Sequence, residues 1–284
     1  MYSCIIQAKT YETRKERDGK AESVQCMQKG IDKMEINAVY VLWLRDIKRF
    51  IRAKSRIIGI LMMPLFFLLG LGLGLGSLIH LSTGGSYLDF IVPGIIGMSL
   101  LFTAVSSGTA VLWDRQFGFL KEILVTPNSR ISIVIGRILG GASTALIQSV
   151  IVVLISILIG FNIHMSPALI LAPVFMALIA ATFIGLGLTL GSFISDFQGF
   201  QLVTSFFTMP LFFLSNGIFP INVLPQFVKY ITYANPLTYG IDGLRITLSG
   251  SGTFSIWTDL AAMLISTAIM IALSAYAFKK TDVG

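Results

Sequence analysis

The sequence is poor in charged residues. Asp, Glu, Lys and Arg make up only 12% of its 284 residues, whereas an average soluble domain carries about a quarter. Hydrophobic residues contribute 55%, and the mean hydropathy is +0.82. This composition excludes a soluble globular protein and also a disordered chain, because disorder requires low hydrophobicity. The sequence therefore predicts a protein that is embedded in a membrane.

Cysteine and histidine are scarce as well. Cys4 and Cys26 lie in a polar amino-terminal stretch, and because two cysteines are too few for a disulfide scaffold we expect free thiols in a mobile arm. His80 and His164 do not form a zinc pair at i and i+4, and neither is placed inside the bilayer, where a Ser-His dyad would need it. The sequence therefore offers no candidate residue for metal binding or for a membrane enzyme acting on lipid.

A phosphate-binding loop is missing too. The pattern G-x-x-x-x-G-K-[ST] does not occur, so the chain does not hydrolyse ATP by that device. The middle of each predicted span also lacks Lys, Arg, Asp and Glu, which ion-coupled carriers usually hold, although backbone carbonyls can also bind sodium. Two hypotheses follow: a transporter that draws its energy from a partner, and, as the alternative, an ion-coupled carrier or channel without one.

The sequence does contain long apolar runs. Five stretches are free of Asp, Glu, Lys and Arg, and each holds at least one membrane span of about 20 residues. The third stretch, 138–195, is long enough for two spans and is interrupted by turn-forming residues at 160–167. The sequence thus predicts an all-α membrane protein with six transmembrane helices, near residues 58–79, 90–112, 132–159, 168–190, 198–218 and 257–278.

The cations lie on one side of these spans. Thirteen Lys and Arg residues precede the first span and four lie after the second, whereas the loops after spans 1, 3 and 4 contain none. Because cations mark cytoplasmic segments, we expect a multi-pass plasma membrane protein with both termini in the cytoplasm. Residues 1–56 carry thirteen cations and seven acids, which accounts for most of the net charge of +7. That charge therefore does not indicate a nucleic-acid partner.

The amino-terminal region has two parts. Residues 1–33 are polar and lack a signal-peptide pattern, so we expect a disordered arm before a transmembrane domain over 34–284, with Met34 as a candidate start. Residues 35–56 combine an apolar stripe with a cationic face, which is typical of a helix in the membrane interface. A helix packed on a soluble domain is the alternative. The residues that define this interfacial helix are Trp43, Arg45, Lys48, Arg49, Phe50 and Arg52.

Small residues recur four positions apart in three of the predicted spans. The pairs are Gly70/Gly74 and Gly72/Gly76 in the first span, Gly136/Gly140 in the third and Gly187/Gly191 at the end of the fourth. This spacing places both glycines on one helix face, where another helix can approach closely. Packing within the chain and a subunit interface both account for the pattern.

A polar segment follows the second span. Residues 113–137 begin near the charged pair Asp114-Arg115, and a short amphipathic helix in this segment ends at Pro127. A helix this short is marginal alone in water, so it must pack on its own bundle or on another protein. Seated in a groove of a partner, it would transmit motion into spans 2 and 3.

A second irregular segment precedes the last span. Residues 215–245 remain apolar, but three prolines break any long helix. Irregular backbone at membrane depth must be buried or line a wet cavity, so the segment is predicted to be re-entrant, with two short helices and a turn near Asn235-Pro236. Asp242 and Arg245 can pair at i and i+3. The alternative is an ordinary outer loop with one amphipathic helix.

These two segments resemble the signatures of permease subunits of type-2 ATP-binding-cassette exporters, in the daunorubicin-resistance and nodulation-factor branch. The first resembles R-x-x-G-x-L-E-x-L-x-V-T-P-x-S-R, with one residue of slack near Gly118. The second resembles G-x-F-F-P…L-P…Y-x-N-P-L-T-Y-x-x-D-x-x-R, with Ile218 where the first aromatic is common. The resemblance covers residues 34–284 and leaves the arm unexplained.

The resemblance implies a non-enzymatic subunit that binds no cofactor itself. Two copies would pair, and each would dock on a separate ATPase that holds ATP and Mg²⁺. Residues 35–56 would be the connecting helix, and a path along spans 1, 2 and 5 would carry an amphipathic drug, lipid or glycan. The ATPase-coupling residues would be Arg115, Phe117, Gly118, Leu120, Glu122, Leu124, Thr126 and Pro127. The re-entrant gate would comprise Gly217, Phe219, Pro220, Pro225, Tyr233, Asn235, Pro236, Tyr239, Asp242 and Arg245.

Overall fold

The computed structural model describes residues 39–74, 87–117, 130–194 and 196–280. All regular secondary structure within these ranges is helical, which confirms the predicted all-α fold. The predicted arm, 1–33, lies outside the described residues. Helices are numbered below in chain order.

The chain enters the bundle through a sharp bend. Helix α1, Val39–Arg52, is followed by α2, Lys54–Phe67, which continues as a π-helix over Leu68–Leu73. The segments 39–52 and 57–72 meet at 73°, so α1 lies across the direction of α2. This is the geometry expected of an interfacial helix that leads into a span, although the fit of α1 to a membrane surface stays a prediction.

Within the residues that the structure describes, four apolar helices are long enough to cross a membrane, or five with the bent α1–α2 pair. The first candidate span comprises α3, Tyr87–Ser106, and its continuation α4, Thr109–Gln116. The other three correspond to α5, Arg130–Ile159, to α6, Ala172–Phe193, which follows a 3-10 turn at Pro167–Leu171, and to α10, Ile256–Lys280. These helices match the predicted spans 2, 3, 4 and 6 because uninterrupted apolar sequence is what a span requires.

The predicted fifth span is shorter in the structure. Helix α7, Phe197–Phe213, has 17 residues. Asp196 precedes it as the N-cap, and its carboxylate accepts a hydrogen bond from the Gly199 amide. The length of α7, about 26 Å, is below the ~30 Å of a bilayer core. It ends at Phe213 and not near 218, because Leu214–Phe219 turn away from the helix axis. The count of six spans therefore stays a prediction.

Helix α6 lies at the centre of the bundle, packed on α3, α5 and α10. Glycine permits the close approach to α3, since a Cβ on Gly187 would lie 2.4 Å from the Val105 carbonyl oxygen and one on Gly191 2.6 Å from that of Gly108. The Gly187/Gly191 pair thus serves packing within the chain.

Two short helices precede α10. After a 3-10 turn at Ile221–Val223, α8 spans Gln226–Ala234 and α9 spans Pro236–Ser249. The chain breaks between them at Asn235, as the proline pattern predicts. Helix α9 is buried along most of its length, which does not fit an ordinary outer loop with one amphipathic helix. Its entry into the membrane stays a prediction.

Candidate functional site

Helix α1 packs its apolar side on the beginning of α5. A Cβ on Gly136 would meet Leu42 at 3.2 Å, and one on Gly140 would meet the Asp46 side chain at 2.9 Å, so this glycine pair also serves packing within the chain. The indole nitrogen of Trp43 donates to the Ser143 hydroxyl at 2.9 Å. Of the predicted interfacial residues, Phe50 is buried, Trp43 and Arg45 are half-buried, and Lys48, Arg49 and Arg52 are exposed.

Three charged residues, named here the brace, join α1, α4 and α5. The buried Asp114 carboxylate accepts hydrogen bonds from Arg137 and, at 3.4 Å, from Arg45. The Arg137 side chain is only 3% exposed. Removing one partner of a buried ion pair leaves an uncompensated charge, so the three helices are held together at this point.

The sequence did not single out the brace. Asp114 stands at the start of a polar segment, and Arg137 is the last of the four cations after the second span that indicate topology. A usable signal existed, since the two residues flank one loop at the ends of consecutive apolar runs. Their opposite charges would have suggested a pair that closes that loop.

The predicted coupling segment begins at the brace. Phe117 is exposed and stacks on Trp113 with the ring planes 2° apart, and Phe197 packs edge-on against Trp113 at 5.2 Å. Arg115 belongs to α4. The remaining coupling residues, Gly118, Leu120, Glu122, Leu124, Thr126 and Pro127, lie outside the described residues, so the coupling helix stays a prediction.

At the other end of α3, a second polar cluster surrounds Arg245. Its guanidinium forms the predicted ion pair with Asp242 at 3.5 Å, donates to the Asn216 carbonyl at 2.7 Å, and lies 4.1 Å from the centre of the Phe90 ring. Both charged residues are buried. The Asp242 carboxylate also accepts from the Thr253 amide at 2.8 Å. This outer cluster ties α3, the loop after α7 and α9 together.

Asn216 gives that loop its shape. Its φ is +60°, a left-handed conformation that asparagine tolerates better than most residues. Its side-chain oxygen accepts from the Ile221 amide at 3.1 Å, while its carbonyl receives Arg245. The sequence missed Asn216 and Phe90 as site residues. The signal for Asn216 was its place before Gly217 in a turn-forming run.

The other predicted gate residues form the turn and its surroundings. The Asn235 side chain accepts from the Leu237 amide at 3.0 Å and donates to the Leu211 carbonyl at 2.6 Å, so it caps α9 and fastens it to α7. Tyr239 donates to the Tyr233 carbonyl at 2.8 Å. Gly217 is buried, Pro220 and Pro236 are half-buried, and Phe219, Pro225 and Tyr233 are exposed.

Asp259, in the first turn of α10, is fully buried. Neither of its carboxylate oxygens has a hydrogen-bond partner among the described residues. Within the described ranges no group of three His, Cys, Asp or Glu side chains could hold a metal ion.

Comparison with known proteins defines the class of this protein. The family model for the ABC-2 type transporter matches residues 37–249. The chain therefore belongs to the ABC-2 type transporter family, which confirms the resemblance drawn from its two motifs.

The matched relatives extend over most of the chain. The inner membrane transport permease YadH of Escherichia coli (strain K12) is 28% identical over 232 residues, which cover 80% of this chain and 89% of YadH. Nodulation protein J of Rhizobium leguminosarum bv. viciae is 26% identical over 227 residues, 79% of this chain and 87% of that protein. The putative transport permease ycf38 of Cyanophora paradoxa is 28% identical over 58% of each chain.

Proposed function

We propose that this chain is the permease subunit of an ATP-driven exporter in the plasma membrane. Both termini lie in the cytoplasm, two copies pair, and ATP and Mg²⁺ are held by a separate ATPase subunit. The brace is the observation that carries this proposal. It joins α4 and α5, the helices on either side of residues 118–129, to each other and to α1, and a partner's motion would have to enter through these helices.

A mechanical argument links the brace to coupling. Helix α4 has eight residues and would be marginal alone. The ion pairs of Asp114 and the ring contacts of Trp113 give it fixed neighbours on three other helices. Because packed elements move as rigid bodies, a force on the coupling segment would reach α1, α3 and α5 together.

The exposed face of α7 supports the pairing of two copies. This helix contacts the bundle through Phe200 and Phe212, each 1% exposed, but leaves Leu202 73% and Phe206 76% exposed. A cavity of about 480 Å³ runs between α7 and the α8–α9 turn, with a mostly apolar lining. We infer that a second copy covers part of this face and that an amphipathic drug, lipid or glycan moves along the remainder.

The test uses the permease together with its ATPase. We expect the ATPase to co-purify with the wild-type chain and to be stimulated by transported compounds in nanodiscs. Glu122→Ala and Leu124→Asp should insert normally but lose stimulation and export, whereas Asp282→Ala, an acid in the carboxyl-terminal tail, should behave as wild type. Unchanged export by both coupling variants would count against the proposal.

An ion-coupled carrier is the second candidate, and Asp259 is the observation that favours it. A buried carboxylate without a hydrogen-bond partner is the type of group that carriers use for a proton or sodium ion. This function predicts transport by the chain alone in vesicles that hold an ion gradient and no nucleotide, with loss on Asp259→Asn. Transport that needs the ATPase and is unaffected by Asp259→Asn would exclude it.

A further inference from the structure

Two neighbouring cavities lie between the first helices of the bundle. A polar compartment of about 90 Å³ is lined by α1, α3, α4 and α5 at the end where α1 lies. An apolar compartment of about 280 Å³ lies between α2 and α3. Ile60 and Thr103 line both, so the two compartments adjoin each other. A ligand that passed between these two side chains would meet a charged end and an apolar end.

Arg137 makes the polar compartment a site for an anion. Its side chain is 3% exposed and lines this compartment. One terminal nitrogen serves Asp114, but Nε and Nη1 have no hydrogen-bond partner among the described residues. Buried donors without acceptors are unfavourable, the more so when the group is charged. Neither atom exposes surface to the compartment, so an acceptor placed there would satisfy them after a shift of the guanidinium.

The surrounding charges favour a negative ligand. Arg49 also lines the polar compartment, and Arg45 is bound to Asp114 behind it. Asp46 lines the compartment too, but its carboxylate lies 3.7 Å from Arg45. Among the described side chains, three arginines against two aspartates leave one net positive charge beside the cavity. A phosphate head would be stabilised there by charge-assisted hydrogen bonds.

The apolar compartment suits a hydrocarbon chain. Gly59, Met63, Pro64, Met98 and Phe102 line most of it. Its polar wall is already satisfied, because Gln148 accepts from Thr103 and donates to Ser99, each at 2.8 Å. The volume is near the lower end of ligand pockets, which measure roughly 300–1,000 Å³.

We propose that this two-compartment cavity binds an anionic phospholipid. The phosphate lies against Arg137 and Arg49, and one acyl chain lies between α2 and α3. A free phosphate would fill only the polar end, and a neutral lipid would leave the Arg137 donors unmatched. The occupant is available because the chain is embedded in lipid. This inference concerns binding by the chain itself and stands whether or not the chain exports anything.

The experiment measures binding of phosphatidic acid to the purified full chain in phosphatidylcholine nanodiscs. Gly59→Leu fills the apolar compartment, and its Cβ meets no atom within 4 Å, so the fold should be retained. Gly70→Leu, on the continuation of the same helix and equally open, is the matched control. We expect about tenfold weaker binding for Gly59→Leu, equal to ~1.4 kcal/mol, and wild-type binding for the control.

A second pair of variants tests how the lipid's phosphate group is bound. Arg49→Gln should weaken binding about tenfold, because the phosphate loses one charge-assisted hydrogen bond inside the cavity. Arg52→Gln removes an equally exposed cation from the same helix but lies outside the cavity, so it should bind as wild type. Equal losses in both variants would reveal only general attraction to charged lipid and would overturn the proposal.

Competitors distinguish the source of the anion. Inorganic phosphate and diacylglycerol should fail to displace phosphatidic acid at concentrations where lysophosphatidic acid displaces it. Full displacement by phosphate would assign the site to a free anion, and displacement by diacylglycerol would assign it to a neutral lipid. Either result, or unchanged binding by Gly59→Leu, would refute the proposal.

Discussion

Replacing Arg245 by methionine tests the outer cluster most directly. The substitution keeps much of the side-chain volume but removes the ion pair to Asp242 at 3.5 Å, the hydrogen bond to Asn216 at 2.7 Å and the contact with the Phe90 ring. It leaves Asp242, which is 0% exposed, without its counter-charge. We therefore expect a large loss of stability that is concentrated in the α7–α9 region.

The magnitude follows from the geometry. At 3.5 Å and an effective dielectric constant of 20, the attraction between the two charges is about 5 kcal/mol. Two backbone amides at 2.8 Å still bind Asp242, and they reduce the penalty. Breaking a buried pair by removing one partner typically costs about 3–5 kcal/mol, and we expect Arg245→Met to fall in that range.

The assay is a double-mutant cycle. Unfolding free energies of wild type, Arg245→Met, Asp242→Asn and the double variant are measured by reversible denaturation in mixed micelles. The double variant carries no unpaired charge, so it should recover about 2–3 kcal/mol relative to the sum of the single changes. A loss below about 1 kcal/mol for Arg245→Met, or strictly additive single changes, would refute the reasoning.

Three further predictions use the same denaturation assay. Gly187→Ala should destabilise by about 1–3 kcal/mol, because its Cβ meets backbone of α3 that cannot yield, whereas Gly59→Ala, in open space, should be neutral or slightly stabilising. Asn235→Ala should cost about 1–3 kcal/mol, since α9 loses its cap and its bond to α7. Trp43→Phe should cost about 1 kcal/mol through the lost bond to Ser143.

Each of these three predictions would be contradicted by a particular result. Equal effects of alanine at Gly187 and Gly59 would mean that α3 and α6 are not in close contact. A neutral Asn235→Ala would show that the α8–α9 break is held by proline alone. A Trp43→Phe variant that loses several kcal/mol would mean that α1 depends on indole packing more than on the hydrogen bond.

The apolar runs predicted most of the bundle because a span is set by local composition. Helices α3, α5, α6 and α10 lie where 19 or more consecutive residues lack charge. Apolar composition alone does not predict the end of α7, since Leu214, Ile218 and Phe219 continue the apolar pattern on both sides of the turn-forming residues 215–217. There the chain turns because Asn216 adopts a positive φ and Arg245, 29 residues later, binds its carbonyl. A contact between distant residues decided the boundary.

The role of Arg137 likewise depends on a contact between residues that are distant in the sequence. Cations count as topology signals when they sit at the membrane surface, and Arg137 was included in that count. In the structure it is buried against Asp114, so its charge acts within the fold. The i, i+3 pair of Asp242 and Arg245 was visible because helix geometry relates its members. The Asp114–Arg137 pair has no such local rule.

The two ion-pair sites are joined by one element. Residues Tyr87–Asp114 form a continuous apolar unit of 28 residues, about 40 Å long. Its first turn places Phe90 against Arg245, and its last residue is Asp114, which supplies the carboxylate of the brace. A partner that tilts the α1 end of this unit must therefore move Phe90 relative to the guanidinium or carry α9 with it. Because the buried guanidinium packs on the Phe90 ring, α9 should follow, and a force on the proposed coupling segment would reach the loop after α7 through α3.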